Sequence, residues 1–476
     1  MISPGNYVYL ESPQGGYVGG SQNYSYTSYN ASLYFSEWRN SLFIRVIGDE
    51  LWTGQFTGMQ GFTQMESGYY GNLKGIPYNP AMGCLSWVGD GWDCSSWLMS
   101  GWLAIDHIAY FRNGTLSSIK MRFEQVCCEA GSSALHGAMA WAASNPINPP
   151  GPINPPPKEL WTPPEIAISA GNYVYLESDP GDSVGKGLNY SYNSSNAIIS
   201  VSTNINPLSV SINGNEQWTG DFQSMSSLQQ LTKGYYGDLQ HHPFYNPVLA
   251  GLSWGGFCNS RSGWFVVDEI NYNSTGLVAV KLRFAQHCLE AVPALYGALN
   301  WNASNPDILP RPVNPPPEGL WTPDSKTVSA SGNYVYLESQ QGDNVGGGLN
   351  YSYTPSNSTL SVSYSDFLLY VQVQVPMGYY DEYWSGYFQG METDLEVGYY
   401  GGLRRYPVNN PVLGGLFWYG SMYSDCDTLS GWFVVDSIQF VEGEVSAVQL
   451  RFEQHCEAAT PALHGAISWK STTSLT

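Results

Sequence analysis

Gly-Asn-Tyr-Val-Tyr-Leu-Glu-Ser, the octapeptide at Gly5–Ser12, returns unchanged at Gly171–Ser178 and at Gly332–Ser339. Its β-branched and aromatic residues suit a strand on a pleated, half-buried surface. The copies begin roughly 160 residues apart, and self-similarity at a fixed period indicates a repeated building unit. We therefore predict three equivalent folds in tandem.

Further landmarks follow the octapeptide in the same order in every copy. They are a Trp-Thr/Ser-Gly tripeptide, a Gly-Tyr-Tyr-Gly segment, an Asn-Pro pair and a closing Trp: Trp52–Gly54, Trp218–Gly220 and Trp384–Gly386; Gly68–Gly71, Gly234–Gly237 and Gly398–Gly401; Asn79–Pro80, Asn246–Pro247 and Asn410–Pro411; Trp141, Trp301 and Trp469. Short periodic runs between Gly, Pro and Asn turns predict an all-β chain of three antiparallel β-sandwich domains, Ig-like or jelly-roll. The expected domains are 1–144, 169–304 and 330–476.

Pro-rich linkers are expected over 145–168 and 305–329. Proline fixes φ and removes a hydrogen-bond donor, so these segments are predicted to be semi-rigid polyproline II spacers. Each contains Leu-Trp-Thr-Pro, at Leu160–Pro163 and Leu320–Pro323. We expect each Trp to pin its linker to a neighbouring domain. A solvated linker with one exposed aromatic residue is the alternative.

The clearest hairpin runs from Gly263–Ile270 through a turn at Asn273–Gly276 to Leu277–Phe284. Closing the equivalent hairpins brings an Asp near an Arg in every copy: Asp106 and Arg122, Asp268 and Arg283, Asp436 and Arg451. Structural ion pairs that brace the sandwich are the favoured interpretation. A binding charge is the alternative.

The eight cysteines sort by copy, which is typical of a disulfide framework. Alignment of the copies predicts one bridge in each: Cys94–Cys127, Cys258–Cys288 and Cys426–Cys456. Cys84 and Cys128 exist only in the first copy, where we expect them to form a second bridge. Zinc is disfavoured because no Cys-x-x-Cys pair exists and two cysteines per domain leave its ligand set incomplete. Disulfides predict an extracellular or cell-surface location. The sequons at Asn23, Asn189 and Asn350 are candidate glycosylation sites.

The formal net charge of −21 argues against several partners. An acidic surface repels nucleic acid and anionic membranes. No apolar run reaches the roughly 18 residues that a membrane span needs. Met1–Gly5 lacks the features of a secretory signal, so we expect a leader or other upstream sequence.

No repeated catalytic constellation is visible, because no histidine position is filled in all three copies. We therefore predict that the chain is not an enzyme and needs no cofactor. Calcium is the one candidate ion, since the carboxylates of Asp179, Asp182 and Asp343 follow the first strand of the later copies. The first copy has no acid in this loop, which favours a plain turn.

Tyrosines alternate with serines after this loop in every copy: Tyr24, Tyr26, Tyr190, Tyr192, Tyr351 and Tyr353. On an exposed face they would form a binding surface for glycans or proteins. The favoured interpretation is that they fill the core.

The segment Arg451–Glu457, followed by Pro461–Gly465, resembles the end of a domain that recurs in secreted and surface proteins of bacteria. The octapeptide resembles its beginning, and the resemblance covers all three copies. It implies no catalytic residue. We expect an extracellular structural or adhesive protein, a subunit of a surface layer or filament, which associates with itself or other surface proteins. The alternative is a multivalent, lectin-like glycan-binding protein assisted by calcium, in which weak sites gain avidity.

Overall fold

The computed structural model describes residues 5–75, 80–89, 94, 99–127, 133–145, 150–167, 170–203, 206–237, 239–241, 246–256, 258, 261–288, 293–305, 309–325, 332–376, 382–420 and 425–471. Their regular structure is β-strand, apart from one turn of 3-10 helix at Glu165–Ala167. No helix in this part of the chain has the length and hydrophobicity needed to cross a bilayer. The all-β prediction is confirmed.

Ten strands of the first copy form one continuous sheet. They are β1 (Tyr7–Glu11), β2 (Asn23–Thr27), β3 (Ser32–Trp38), β4 (Ser41–Ile47), β5 (Leu51–Thr57), β6 (Gly68–Lys74), β7 (Cys84–Gly89), β8 (Ser100–Tyr110), β9 (Leu116–Val126) and β10 (Leu135–Ala142). Their order is β2-β1-β10-β9-β8-β6-β7-β5-β4-β3. β1 and β10, the first and last of these strands along the chain, are therefore neighbours in the sheet.

The second copy divides its strands between a six-stranded and a five-stranded sheet. They are β11 (Tyr173–Ser178), β12 (Asn189–Asn193), β13 (Ile198–Thr203), β14 (Leu208–Asn213), β15 (Gln217–Gln223), β16 (Gly234–Tyr236), β17 (Gln240–His241), β18 (Gly251–Trp254), β19 (Arg261–Asn273), β20 (Gly276–Cys288) and β21 (Ala294–Asn302). The orders are β12-β11-β21-β20-β19-β16 and β13-β14-β15-β18-β17.

The third copy repeats the ten-stranded sheet of the first. Its strands are β22 (Tyr334–Ser339), β23 (Asn350–Tyr353), β24 (Thr359–Ser365), β25 (Leu368–Val375), β26 (Glu382–Gln389), β27 (Gly398–Arg405), β28 (Gly415–Gly420), β29 (Leu429–Val441), β30 (Glu444–Cys456) and β31 (Ala462–Lys470). Their order is β23-β22-β31-β30-β29-β27-β28-β26-β25-β24. The strands of all three copies fall inside the boundaries 1–144, 169–304 and 330–476.

The ten-stranded sheets of the first and third copies differ from the predicted sandwich because their two halves are joined. In the first copy β6 pairs antiparallel with β8 and, through Lys74, parallel with β7. A register shift between Tyr70 and Leu73 bends the strand and lets it serve both neighbours. The result is one large curled sheet where two separate sheets were expected.

The two halves of each curled sheet nevertheless face each other across an aromatic core. Phe56 of β5 meets Phe123 of β9, with ring centroids 5.2 Å apart. The core also contains the tyrosines that alternate with serine, of which Tyr26 accepts a hydrogen bond from the indole of Trp52 at 3.0 Å. The same Trp-to-Tyr bond recurs in the other two copies at 2.8 Å. Tyr24, Tyr26, Tyr192 and Tyr353 are buried core residues, and Tyr190 and Tyr351 are half-buried and pack against the core, as the favoured interpretation predicts.

A buried glutamine fastens the two halves in every copy. Gln125 accepts a hydrogen bond from the backbone N–H of Trp87 at 2.7 Å and donates one to the same residue's carbonyl at 2.8 Å. Gln286 and Gln454 hold the equivalent tryptophans in the same way. All three side chains are buried. This repeated contact was not predicted from the sequence.

Candidate functional site

Each Pro-rich linker forms an isolated β-bridge with the copy that follows it. Ile153 and Tyr235 of β16 exchange two backbone hydrogen bonds, at 2.8 and 2.9 Å. Val313 and Tyr399 of β27 exchange the equivalent pair, both at 2.9 Å. Main-chain hydrogen bonds thus fix the register of each linker against the strand it meets, as they do in peptide recognition by strand addition.

A glycine in each later copy makes room for the linker. A Cβ atom at Gly234 would lie 2.8 Å from the Pro152 side chain, and one at Gly398 would lie 2.9 Å from that of Pro312. Both glycines also have φ near +145°, at +143° and +145°, which side chains disfavour. The first glycine of the Gly-Tyr-Tyr-Gly segment is thus needed for linker contact and for backbone geometry.

The linker tryptophan lies on two ring systems of the following copy. Trp161 stacks on Tyr296 and Tyr175, with ring centroids 5.4 and 6.4 Å away. Trp321 stacks in the same way on His464, at 5.0 Å, and on Tyr336, at 6.5 Å. The prediction that each Trp packs on a neighbouring copy matches these contacts.

The predicted Asp–Arg pairs are present in all three copies, and in the later two they also hold the linker. Arg283 donates from Nε and Nη2 to Asp268 at 2.8 and 3.0 Å. Its Nη1 donates to the carbonyl oxygen of Trp161 at 2.7 Å. Arg451 donates from Nε to both carboxylate oxygens of Asp436, at 3.2 and 3.0 Å, and from Nη1 to the Trp321 carbonyl at 3.0 Å. The pairs therefore brace the hairpin and bind the linker together.

These contacts define a surface that we call the linker groove. In the second copy it comprises Gly234, Tyr235, Arg283, Tyr296 and Tyr175. It crosses four strand-to-strand steps from β16 to β11, which need about 19 Å at ~4.8 Å each. The eight-residue advance from Ile153 to Trp161 crosses this distance without forming a continuous polyproline II segment, because the chain bends at Asn154 and Pro155 and turns at Lys158 and Glu159. The predicted polyproline II spacer is thus corrected to an irregular segment that crosses the outer face of the sheet.

A second kind of contact joins consecutive copies. The amide of Asn246 donates to the backbone carbonyl of Asn30 in the first copy. The amide of Asn410 donates to the backbone carbonyl of Asn196 in the second copy at 2.8 Å, and to the side chain of Asn215 at 3.2 Å. The donors belong to the Asn-Pro pair of one copy, and the backbone acceptors Asn30 and Asn196 belong to the turn after the second strand of the preceding copy, while Asn215 lies in the turn between β14 and β15.

Two valines accompany these contacts. Val248 and Val412 follow the Asn-Pro pairs directly and are 5% and 0% exposed. Neither belongs to the hydrophobic core of its own copy. Their backbone N–H groups donate to the side-chain oxygens of Asn246 and Asn410, at 3.2 and 3.1 Å. The Asn side chain thus orders its own turn with one end and reaches the neighbouring copy with the other.

The three bridges predicted by alignment are formed, Cys94–Cys127, Cys258–Cys288 and Cys426–Cys456. Cys84 is a buried free thiol in this structure, which does not agree with the second bridge predicted for the first copy. Burial raises the pKa of this thiol, so it is also a poor nucleophile. Its predicted partner, Cys128, lies outside the described residues.

The candidate calcium carboxylates act as acceptors inside their own loops. Asp182 accepts from the Ser178 hydroxyl at 2.9 Å and from the Gly185 N–H at 2.6 Å. Asp343 accepts from the equivalent Ser and Gly at 2.7 Å each, and Asp179 accepts from a backbone N–H at 3.0 Å. Within the described ranges, no group of three or more His, Cys, Asp or Glu side chains could hold a metal ion. The geometry favours the plain-turn interpretation.

One carboxylate in the third copy lies among several donors. Glu453 accepts from His464 at 2.8 Å, from His455 at 3.1 Å and from the indole of Trp432 at 3.1 Å. Burial raises the pKa of Glu453, but these three donors outweigh it and leave the pKa below its usual value. In the second copy Ala285 replaces the Glu. The cluster orients the imidazole on which Trp321 stacks.

The candidate glycosylation residues Asn23, Asn189 and Asn350 are exposed, each at the first position of β2, β12 or β23. Each of these strands lies at the edge of its sheet. Their positions leave room for a glycan, and the modification itself stays a prediction.

No protein-family model and no curated protein matches the chain. Among solved structures, the comparison gives kievitone hydratase from Nectria haematococca, with 8% sequence identity and a TM-score of 0.11. The alignment covers 79% of this chain and 85% of that one. A TM-score this low indicates neither a common fold nor a common activity.

Proposed function

We propose that this chain is an extracellular structural or adhesive protein, whose tandem β-sandwich domains stack head to tail into a surface layer or filament. The observation that carries the proposal is the contact between consecutive copies. Asn246 contacts Asn30, and Asn410 contacts Asn196. In both contacts the donor lies on one surface of a copy, and the acceptor lies on a different surface of the preceding copy. A heterologous contact of this kind continues into an open filament unless its rotation closes a ring.

The acceptor surface is formed again in the third copy. Asn357 accepts from the Thr354 N–H at 2.8 Å and donates to the Ser352 carbonyl at 2.9 Å. The turns at Asn30 and Asn196 have the same two hydrogen bonds. Asn357 is exposed, and no described residue donates to its backbone carbonyl. The third copy therefore offers a preformed acceptor to another chain.

The donor surface of the first copy is open to solvent. Pro80 is exposed and Met82 is 36% exposed, whereas the equivalent Pro411 is buried in the third copy. Asn79, the donor expected here, lies outside the described residues. The two free surfaces are complementary, so the third copy of one chain can receive the first copy of the next.

Three disulfides support an oxidising, extracellular or cell-surface location. The net charge of −21 sets the conditions for assembly, because like-charged chains repel each other unless salt screens them. Association is therefore expected to strengthen as salt is raised.

Sedimentation velocity and electron microscopy over a range of protein concentrations, at low and high salt, test the proposal. The expected result is linear polymers that grow with concentration. Met82→Glu places a charge on the donor surface and should prevent chain-to-chain contact. The control Thr115→Glu adds the same charge in an exposed hairpin turn and should polymerise normally. A wild-type protein that stays monomeric at every concentration and salt would refute the proposal.

A further inference from the structure

The first copy carries the residues of the linker groove, although no described segment occupies it. The five groove residues of the second copy have equivalents in the first copy, which are Gly68, Tyr69, Arg122, His136 and Tyr9. In the second and third copies the linker reaches the groove from the preceding copy. No described residue forms a bridge with Tyr69 like those of the two linkers with Tyr235 and Tyr399.

Exposure of the groove side chains shows the difference between the copies. The Arg122 side chain is 58% exposed, against 15% for Arg283 and 16% for Arg451. The His136 side chain is 47% exposed, against 7% for His464. These are the groups that the linker covers where it is present, so the first groove is open to solvent.

The open groove already has its binding geometry. Arg122 donates from Nε and Nη2 to Asp106 at 3.1 and 2.9 Å, the same two donors that hold Asp268 in the second copy. In the occupied grooves, the Nη1 atom of the equivalent arginine donates to the Trp carbonyl. The Nη1 atom of Arg122 is therefore the donor available to a ligand of the first groove. An added Cβ at Gly68 would meet no atom within 4 Å. The space beside Gly68 is therefore empty, whereas Pro152 fills the equivalent space beside Gly234.

We propose that the linker groove of the first copy binds a proline-rich segment that ends in Leu-Trp-Thr-Pro. Two seated examples define this ligand. Ile153–Pro163 and Val313–Pro323 both read Ile/Val-Asn-Pro-Pro-Pro, two variable residues, then Leu-Trp-Thr-Pro. The aliphatic residue pairs with the edge strand and the Trp stacks on the rings. The prolines restrict the backbone of this segment, so it loses less conformational entropy on binding than a flexible segment would.

The first groove matches that of the third copy most closely. Tyr9 and His136 correspond to Tyr336 and His464, whereas the second copy has Tyr296 in place of the His. Glu124 holds His136 at 3.0 Å, as Glu453 holds His464 at 2.8 Å. The best ligand is therefore the sequence of the second linker, 310–323.

A labelled synthetic peptide with the sequence of residues 310–323, titrated with the purified full chain in a fluorescence-polarisation assay, tests the proposal. Binding should be saturable with one site per chain, because the other two grooves are filled. Ala in place of Trp321 in the peptide, or Arg122→Ala in the protein, should weaken binding at least about tenfold, the usual scale for losing a stacked ring or a charge-assisted hydrogen bond. Lys120→Ala removes a neighbouring exposed cation on β9 and should bind normally.

A photoreactive residue at the Trp position of the peptide locates the site. The label is expected on β1 or β10 of the first copy. Binding that does not saturate, that is unchanged by Arg122→Ala, or that labels the second or third copy would overturn the proposal. The inference does not depend on head-to-tail stacking, since Met82→Glu should leave peptide binding intact. Failure of either proposal can therefore be recognised separately.

Discussion

Arg283 donates a hydrogen bond from Nη1 to the carbonyl oxygen of Trp161 at 2.7 Å, while its Nε and Nη2 donate to Asp268. A guanidinium carries five N–H donors in a fixed plane, so one side chain can serve a carboxylate and a carbonyl together. The ion pair orients the arginine, and the arginine in turn orients the linker. The same arrangement between Arg451 and Trp321 makes the link between copies stiff at both joints.

Arg283→Ala should release the first linker without unfolding the second copy. Trypsin cleaves after Lys158, inside this linker, only when the segment leaves the groove. Loss of the charge-assisted hydrogen bond should raise the cleavage rate about tenfold. Mass spectrometry of the fragments measures the rate. Lys281→Ala removes an exposed cation on the same strand and is the control; equal rates in the two variants would contradict the assigned role.

Gln286→Ala should destabilise the second copy by about 2–4 kcal/mol, because it leaves the buried N–H and carbonyl of Trp254 without partners. Urea unfolding followed by tryptophan fluorescence measures the change. Gln217→Ala alters an exposed glutamine of the same copy and should cost about 0.5 kcal/mol or less. Similar losses in both variants would show that the buried contact is not special.

Replacing both Cys258 and Cys288 by Ala should lower the stability of the second copy by about 3 kcal/mol, the usual contribution of a bridge that closes a loop of this size. Cys84→Ala removes a buried free thiol and should cost about 1 kcal/mol in the first copy. Thermal unfolding of each variant, followed by calorimetry, provides the comparison. A larger loss from Cys84→Ala would indicate that this thiol has a covalent partner in the native protein.

Stability of the third copy should fall as the solution becomes acidic. The pKa of Glu453 is lowered in the folded state, so its contribution is present above the ordinary value of 4.5 and is lost as pH falls through the folded value. Hydrogen exchange at β30 and β31 measures this, with β20 and β21 of the second copy as the reference, where Ala285 replaces the carboxylate. Glu453→Gln should remove this part of the pH dependence. An unchanged pH profile would exclude Glu453 as its source.

The elements that could be predicted are those with local patterns or matches between copies. The hairpins and their Asp–Arg pairs follow from strand periodicity, and the three bridges follow from alignment of the copies. The joining of both halves through β6 could not be predicted. It depends on the shift between Tyr70 and Leu73, and the strand pattern of a segment does not specify how many neighbours it has.

The site could be predicted only in part, for a related reason. Trp161 stood out because an aromatic residue in a linker needs a surface, yet its carbonyl bonds Arg283, 122 positions away. The contact of Asn246 with Asn30 spans 216 positions and uses a backbone carbonyl as acceptor. Every residue offers such an acceptor, so no side-chain pattern marks it.

The neighbouring first and last strands of each copy determine how mechanical tension enters the chain. Tyr173 lies opposite Asn300 at one end of the β11–β21 pair, so a pull on the two flanking linkers acts at the same end of the pair. Such a load opens hydrogen bonds one after another. Asn172, which holds the Asn302 N–H at 2.8 Å and Asn305 at 2.9 Å, stands at the point where this peeling would start. The groove contacts of the linker, among them the hydrogen bond from Arg283 to the Trp161 carbonyl, bear the load first, and Asn172 bears it once the linker has left the groove.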